Sequence, residues 1–300
     1  MEKPILRLGF TDTPSSIANF FSVMLSEDFD IRRDDIAPDY LIFGDRNFGE
    51  HNMTFNDKRC IKIFYTGENQ RPEHYACHFA ISFDHIDDER HYRLPLYVIY
   101  DFDNQFRDVT NTKTVDREPH DLIKKFKDKF CSFVVKNGAC EKRNYFFQRL
   151  NEYKRVDSAG PLFNNMGDII SRGDDMVKAK CLFLNNYKFN LCFENSSYPG
   201  YVTEKLYEAY MGGAIPIYWG SPTVECDFNT KAFLNWHDYQ DDDAFMQAII
   251  DVDTKPELYE EMYLQPFFNS WKEPYNKYLD MNRFRGWFKK NVYKGVLNPL

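Results

Sequence analysis

Lys205 is a cation where a helix favours an anion. It stands in the run TEKLYEAYMGG, whose apolar interior (Leu206, Tyr207, Ala209, Tyr210, Met211) stops at Gly212–Gly213. Thr203 is expected to cap this helix. A helix N-terminus carries partial positive charge, so a lysine in the first turn is unfavourable. A phosphate bound at the helix end, with Lys205 aimed at it, removes the conflict. A solvated lysine near a cap fits as well, and spacing alone favours that reading. On the phosphate reading, Lys205→Ala is expected to leave ligand-free stability unchanged or slightly raised, by roughly a few tenths of a kcal/mol.

Three other groups could do chemistry. Glu68 follows the β-rich run IKIFYTG, at a strand's carboxyl end. A lone glutamate there is usually a solvated charge, but a carboxylate in reach of a hydroxyl can also take its proton. Arg143 lies near the start of a probable helix over 143–153, with Arg149 nearby; both read as surface residues. Asp101-Phe102-Asp103 fits a D-x-D metal pattern. In a chain with 46 acids that match is expected by chance, and it falls in a polar stretch, so no metal is assigned to it. No His/Cys spacing suggests a structural zinc.

Short apolar runs at Ile5–Phe10, Tyr40–Phe43, Cys60–Tyr65 and His78–Phe83 predict strands in the first part. Phe130–Val135, Lys188–Phe193 and Ala214–Trp219 predict strands in the second. Longer segments between strands point to parallel α/β sheets. Residues 101–129 are polar, and their latter part reads as a linker between two domains. Ser171–Lys180 reads as a polar connection, Glu194–Gly200 as a polar loop, and helices are expected near Asp243–Asp251 and Lys255–Tyr263. The domains are set at 1–120 and 121–275, with an aromatic, basic helical tail over 276–300 that docks on the body.

The formal charge of −8 argues against a nucleic-acid or anionic-membrane partner for the whole chain. No apolar run approaches the roughly 20 residues of a membrane span. Seven cysteines without a CxxC pair read as reduced thiols. These point to a cytoplasmic location, with peripheral contact to the inner membrane as the alternative.

FENSSYPGYVTEK followed by AIPIYWGSP, within Lys188–Pro222, resembles the signature of glycosyltransferase family ten, the α1,3-fucosyltransferases. It is most similar to the Helicobacter-like bacterial branch. Phe64–Asn69 (FYTGEN) and Phe130–Asn144 (FCSFVVKNGACEKRN) extend the resemblance, which runs from about residue 60 to about 235. Gly200 stands where animal members have Asp, which bears on branch. The C-terminal heptad repeats of Helicobacter members are absent, so the oligomeric state is left open.

The resemblance implies a GT-B fold, two Rossmann-like domains facing across a cleft. It implies an inverting enzyme that moves L-fucose from GDP-β-L-fucose to O3 of GlcNAc in a Galβ1,4GlcNAc acceptor. The product would be a Lewis x-type antigen, on lipopolysaccharide or in protein glycosylation. Transfer to type-1 chains (α1,4) or lactose, or a non-catalytic nucleotide-sugar or glycan-binding relative, are the alternatives. Glu68 inherits the role of general base. Arg143 and Lys205 would hold the diphosphate, Asn195 the phosphate-sugar region, Glu204 hydroxyls of the ribose or fucose, and Tyr201 would pack near guanine. Arg149 does not align with the family arginine. No cofactor is obligatory, and a divalent cation is at most stimulatory.

Overall fold

The computed structural model describes residues 2–56, 59–102, 127–170, 176–268 and 280–293. Contacts divide the chain into two compact units, 1–102 with 277–300, and 103–276. The tail therefore belongs with the first unit. The expected linker up to residue 126, including Asp103, lies outside the described residues, as do 269–279 and 294–300.

In the first unit six parallel strands run in the order β2-β1-β3-β4-β5-β6. They are β1 Ile5–Thr11, β2 Asp30–Arg33, β3 Tyr40–Phe43, β4 Ile61–Tyr65, β5 Phe79–Ser82 and β6 His91–Arg93. The central runs YLIF and IKIFY are buried nearly throughout, as parallel strands covered on both faces must be. The edge strands β2 (DIRR) and β6 (HYR) escape an apolar-run reading, because charge and shortness suit an edge. Helix α1, Ser15–Ser26, buries Ile17, Phe20, Phe21, Met24 and Leu25, a stripe at helical spacing. Helix α2 spans Leu96–Phe102.

In the second unit five parallel strands run in the order β11-β10-β9-β7-β8. They are β7 Lys129–Phe133, β8 Val156–Ser158, β9 Tyr187–Leu191, β10 Ile215–Tyr218 and β11 Leu234–Asn235. The helices here are α3 Glu141–Tyr153, α4 Met176–Leu184, α5 Glu204–Met211, α6 Asp242–Thr254 and α7 Pro256–Tyr263. Helix α4 corrects the sequence reading of 171–180 as a purely polar connection. Its Cys181 and Leu184 are buried, and its Lys180 pairs with buried Glu208 on α5.

Chain order reverses at β7/β9: β8 lies on one side of β7 and β9 on the other. Ligands in such sheets gather at the carboxyl ends of the strands that flank a reversal. Those ends lead to Val135–Cys140 after β7 and to Phe193–Asn195 after β9.

The tail forms α8, Met281–Trp287, continued by a π-helical turn over Phe288–Tyr293. Phe284 packs on Phe21 and Tyr92, and Tyr293 on Phe29. Arg285 and Lys289 pair with Asp28 at 3.2 and 2.9 Å. Its aromatic and basic residues thus serve the first unit's core and surface.

Candidate active site

Helix α3 carries Arg143, Phe146, Phe147 and Leu150 on one face, at i, i+3, i+4 and i+7, and all four are buried. An arginine on an apolar stripe is a signal visible in the sequence. The structure corrects the surface reading, for Arg143 is fully buried at the reversal point. Its Nη1 donates to the Phe193 carbonyl at 3.2 Å and to Asn195 Oδ1 at 2.7 Å. Its Nη2 donates to the Asn137 carbonyl, and its Nε has no hydrogen-bond partner. Among the described residues Arg143 makes no ion pair. Burial holds its pKa below the ordinary value, against the pull of Glu194, Tyr201 and Glu204 nearby. Guanidinium does not give up its proton at physiological pH, so this is a buried cation with charge left over for an anion. Arg149 instead points away, to Asp243 on α6.

The loop between β9 and α5 is tied at several points. Gly200 takes a φ of +81°, which suits glycine, and its N–H reaches Ser221 Oγ at 2.9 Å and Thr223 Oγ1 at 3.0 Å. Thr203 occupies the cap position of α5, yet its side chain does not cap the helix. Instead its N–H donates to Glu194 Oε1 at 2.8 Å and its hydroxyl to Glu194 Oε2 at 2.7 Å.

Glu194 is the residue that sequence reasoning missed. The sequence places it in a polar loop, yet it is fully buried. Lys205 Nζ lies 3.3 Å from Glu194 Oε2, 3.4 Å from Glu204 Oε1 and 2.9 Å from Thr203 Oγ1. The anion that the helix end calls for is therefore already in the chain. The signal was the dipole conflict itself, resolved by an acid directly after an apolar strand.

Burial pushes the Glu194 carboxyl above its ordinary value, with Lys205 opposing. Burial acts the same way on Glu204, but Lys205 and Lys180 overcome it and hold that carboxyl low. For Lys205, burial favours the neutral form, while Glu194 and Glu204 outweigh it and raise the pKa.

Five expected site residues thus share one unit. Arg143 touches Asn195, Lys205 touches Glu204, and Tyr201 is buried near Arg143. Glu68 lies in the other unit, half-buried in the loop after β4. Its N–H donates to Thr66 Oγ1 at 3.0 Å, and that hydroxyl donates to buried Asp45 Oδ2 at 2.7 Å. Among the described residues no cluster of three His, Cys, Asp or Glu side chains could hold a metal ion, and no helix is long and apolar enough to cross a membrane.

Two family models match the chain. Residues 7–100 match the α-(1,3)-fucosyltransferase FucT N-terminal domain, and 123–290 match the glycosyltransferase family 10 (fucosyltransferase) C-terminal region. An α-(1,3)-fucosyltransferase of Helicobacter pylori is 35% identical over 257 residues, 77% of this chain and 52% of that protein. The chain thus spans about half the length of that relative. A crystal structure of an α1,3-fucosyltransferase superposes with a TM-score of 0.81 at 27% identity, covering 99% of this chain and 92% of the other. One with GDP-fucose gives 0.78 at 26% identity, covering 100% and 92%. The two Rossmann-like units are those of the GT-B class.

Proposed function

The chain belongs to glycosyltransferase family 10, the fucosyltransferases, and from that premise we propose that it transfers L-fucose from GDP-β-L-fucose to O3 of GlcNAc in a Galβ1,4GlcNAc acceptor. The observation that carries the donor half is Arg143, a fully buried guanidinium without an ion-pair partner among the described residues, at the β7/β9 reversal. A donor diphosphate supplies the missing anion, and Arg143 can meet two of its oxygens. The solved relative with GDP-fucose supports the same donor.

The mechanism is a single displacement. Glu68 takes the proton of the acceptor O3 as that oxygen bonds to C1 of fucose on the face opposite the diphosphate. The C1–O bond to the β-phosphate breaks, the configuration inverts from β to α, and the electron pair leaves on GDP. Arg143 and Lys205 stabilise that charge, which grows toward the transition state. Asn195 braces Arg143 toward the phosphate-sugar region. Glu204 takes hydroxyls of the ribose or fucose, and Tyr201 packs near the guanine. Because protein cations neutralise the leaving group, no cofactor is required. All seven cysteines are free thiols, which supports a reducing, cytoplasmic setting.

The test is purified protein with GDP-fucose and a panel of type-1, type-2 and lactose acceptors, the linkage read by NMR. An α1,3 linkage to GlcNAc of the type-2 chain, formed with inversion, is expected. An α1,4 product or a preference for lactose would reassign the acceptor, and no turnover on any acceptor would reject the reading. Excess EDTA is expected to leave most of the activity. Complete loss, restored by manganese, would give Asp101 and Asp103 the metal role denied to them above.

A further inference from the structure

We propose that Glu194 is a positioning residue that aims the Lys205 ammonium at the donor's diphosphate, a role that rests on the donor-site reading above. Both Glu194 carboxylate oxygens are taken by Thr203 and Lys205, so it acts on substrate through these neighbours. Oε1 receives the Thr203 N–H, and Oε2 receives the Thr203 hydroxyl and the Lys205 ammonium. The ammonium also donates to Thr203 Oγ1 at 2.9 Å. A lysine is a point charge on a flexible four-carbon stem. Two bonds from one rigid neighbourhood remove that freedom before any ligand arrives.

The carboxylate is itself held in place. The Glu194 N–H donates to the Trp219 carbonyl at 2.8 Å. A Cβ on Gly220 would come within 2.5 Å of Glu194 Cγ and 2.4 Å of Tyr218 Oη, so glycine there leaves room for the side chain. Two opposed effects follow from removing the charge. A diphosphate would lose a nearby repulsion, which favours binding. The ammonium would lose its rear anchor and turn to Glu204, 3.4 Å away, occupying the acid assigned to donor hydroxyls. Loss of aim outweighs loss of repulsion here because both Lys205 and Glu204 leave their working positions. The glutamate–lysine pair of protein kinases, which must be in place for phosphate handling, follows the same logic.

The experiment is calorimetric binding of GDP and of guanosine, which lacks the phosphates, to wild type, Glu194→Gln, Lys205→Ala and the double variant. Glu194→Gln is expected to weaken GDP at least about tenfold while guanosine changes less than about threefold. In the Lys205→Ala background it is expected to add little, because its effect passes through Lys205. Equal weakening of both ligands would mark a structural role and overturn the proposal, as would tighter GDP binding. Thr203→Val removes the hydroxyl bridge and leaves every charge in place. It serves where Glu194→Gln does not fold, with the same selective loss expected, and unchanged GDP affinity would overturn the proposal equally. Wild-type protein that binds GDP no better than guanosine would overturn the donor site itself. Phosphate-dependent binding that survives in these variants overturns only the role of Glu194.

Discussion

Glu68→Ala is expected to lower turnover by at least about 10²-fold, the usual contribution of a general base, with GDP affinity within a factor of about two of wild type. The substitution leaves the backbone hydrogen bonds at residue 68 in place. The N–H reaches Thr66 Oγ1, and the carbonyl receives the Gln70 N–H at 2.7 Å. Beyond it, Arg71 pairs with Asp84 and Asn69 and lies 4.5 Å over the Phe83 ring. Alanine keeps these backbone bonds and the Arg71 contacts, and a thermal melt of the variant checks that any loss of turnover is not a loss of fold. On the proposed donor site, GDP affinity rests with Arg143 and Lys205, which lie in the other unit. Single-turnover kinetics with saturating donor, beside GDP titration, separates the two effects. Turnover near wild type would take the base role from Glu68. Weakened GDP binding at full turnover would make it a donor-side residue.

The sequence was most legible where one local pattern decides the structure. Tyr40–Phe43 is β3 to the residue, Ala214–Trp219 brackets β10 by one residue at each end, and Lys188–Phe193 overlaps β9 but starts one residue late and ends two residues beyond it. Continuous apolar runs leave a buried parallel strand few rivals. Legibility failed where the deciding partner is distant. Edge strands β2 and β6 take identity from the strand beside them, Asp30–Arg33 pairing with Ile5–Leu8. Thr203 looks like a cap because serine and threonine usually are; what it serves is an acid nine residues earlier, which only the fold brings near. Arg143 lies between these extremes. Its place on the Phe146–Leu150 stripe was readable, but the carbonyls that receive it lie after two separate strands, β9 and β7.

Lys205→Ala is where the structure reverses the sequence-based expectation. With only the dipole in view, removing the lysine should leave the ligand-free protein unharmed. With Glu194 in view, it leaves a fully buried carboxylate without its ion-pair partner among the described residues. Breaking a buried pair from one side costs about 3–5 kcal/mol, a large share of the roughly 5–15 kcal/mol that holds a domain folded. The melting temperature should therefore fall by roughly 6 °C or more, and GDP affinity should fall with it. The sign with pH is fixed by Glu194, whose folded pKa is raised by burial and rises further without Lys205. A raised carboxyl penalises folding above its unfolded pKa and ceases to do so once protonated in both states. The gap between wild type and Lys205→Ala should thus be widest at neutral and alkaline pH and close as pH falls toward the ordinary glutamate range. Glu194→Gln added to Lys205→Ala removes the stranded charge and should recover much of the lost stability, while GDP affinity stays low. Thermal melts from pH 5 to 8, with GDP titration of the same variants, test this. A Lys205→Ala protein that melts with wild type at every pH would show that Glu194 does not depend on the lysine. Unchanged GDP affinity in that variant would remove Lys205 from the donor site.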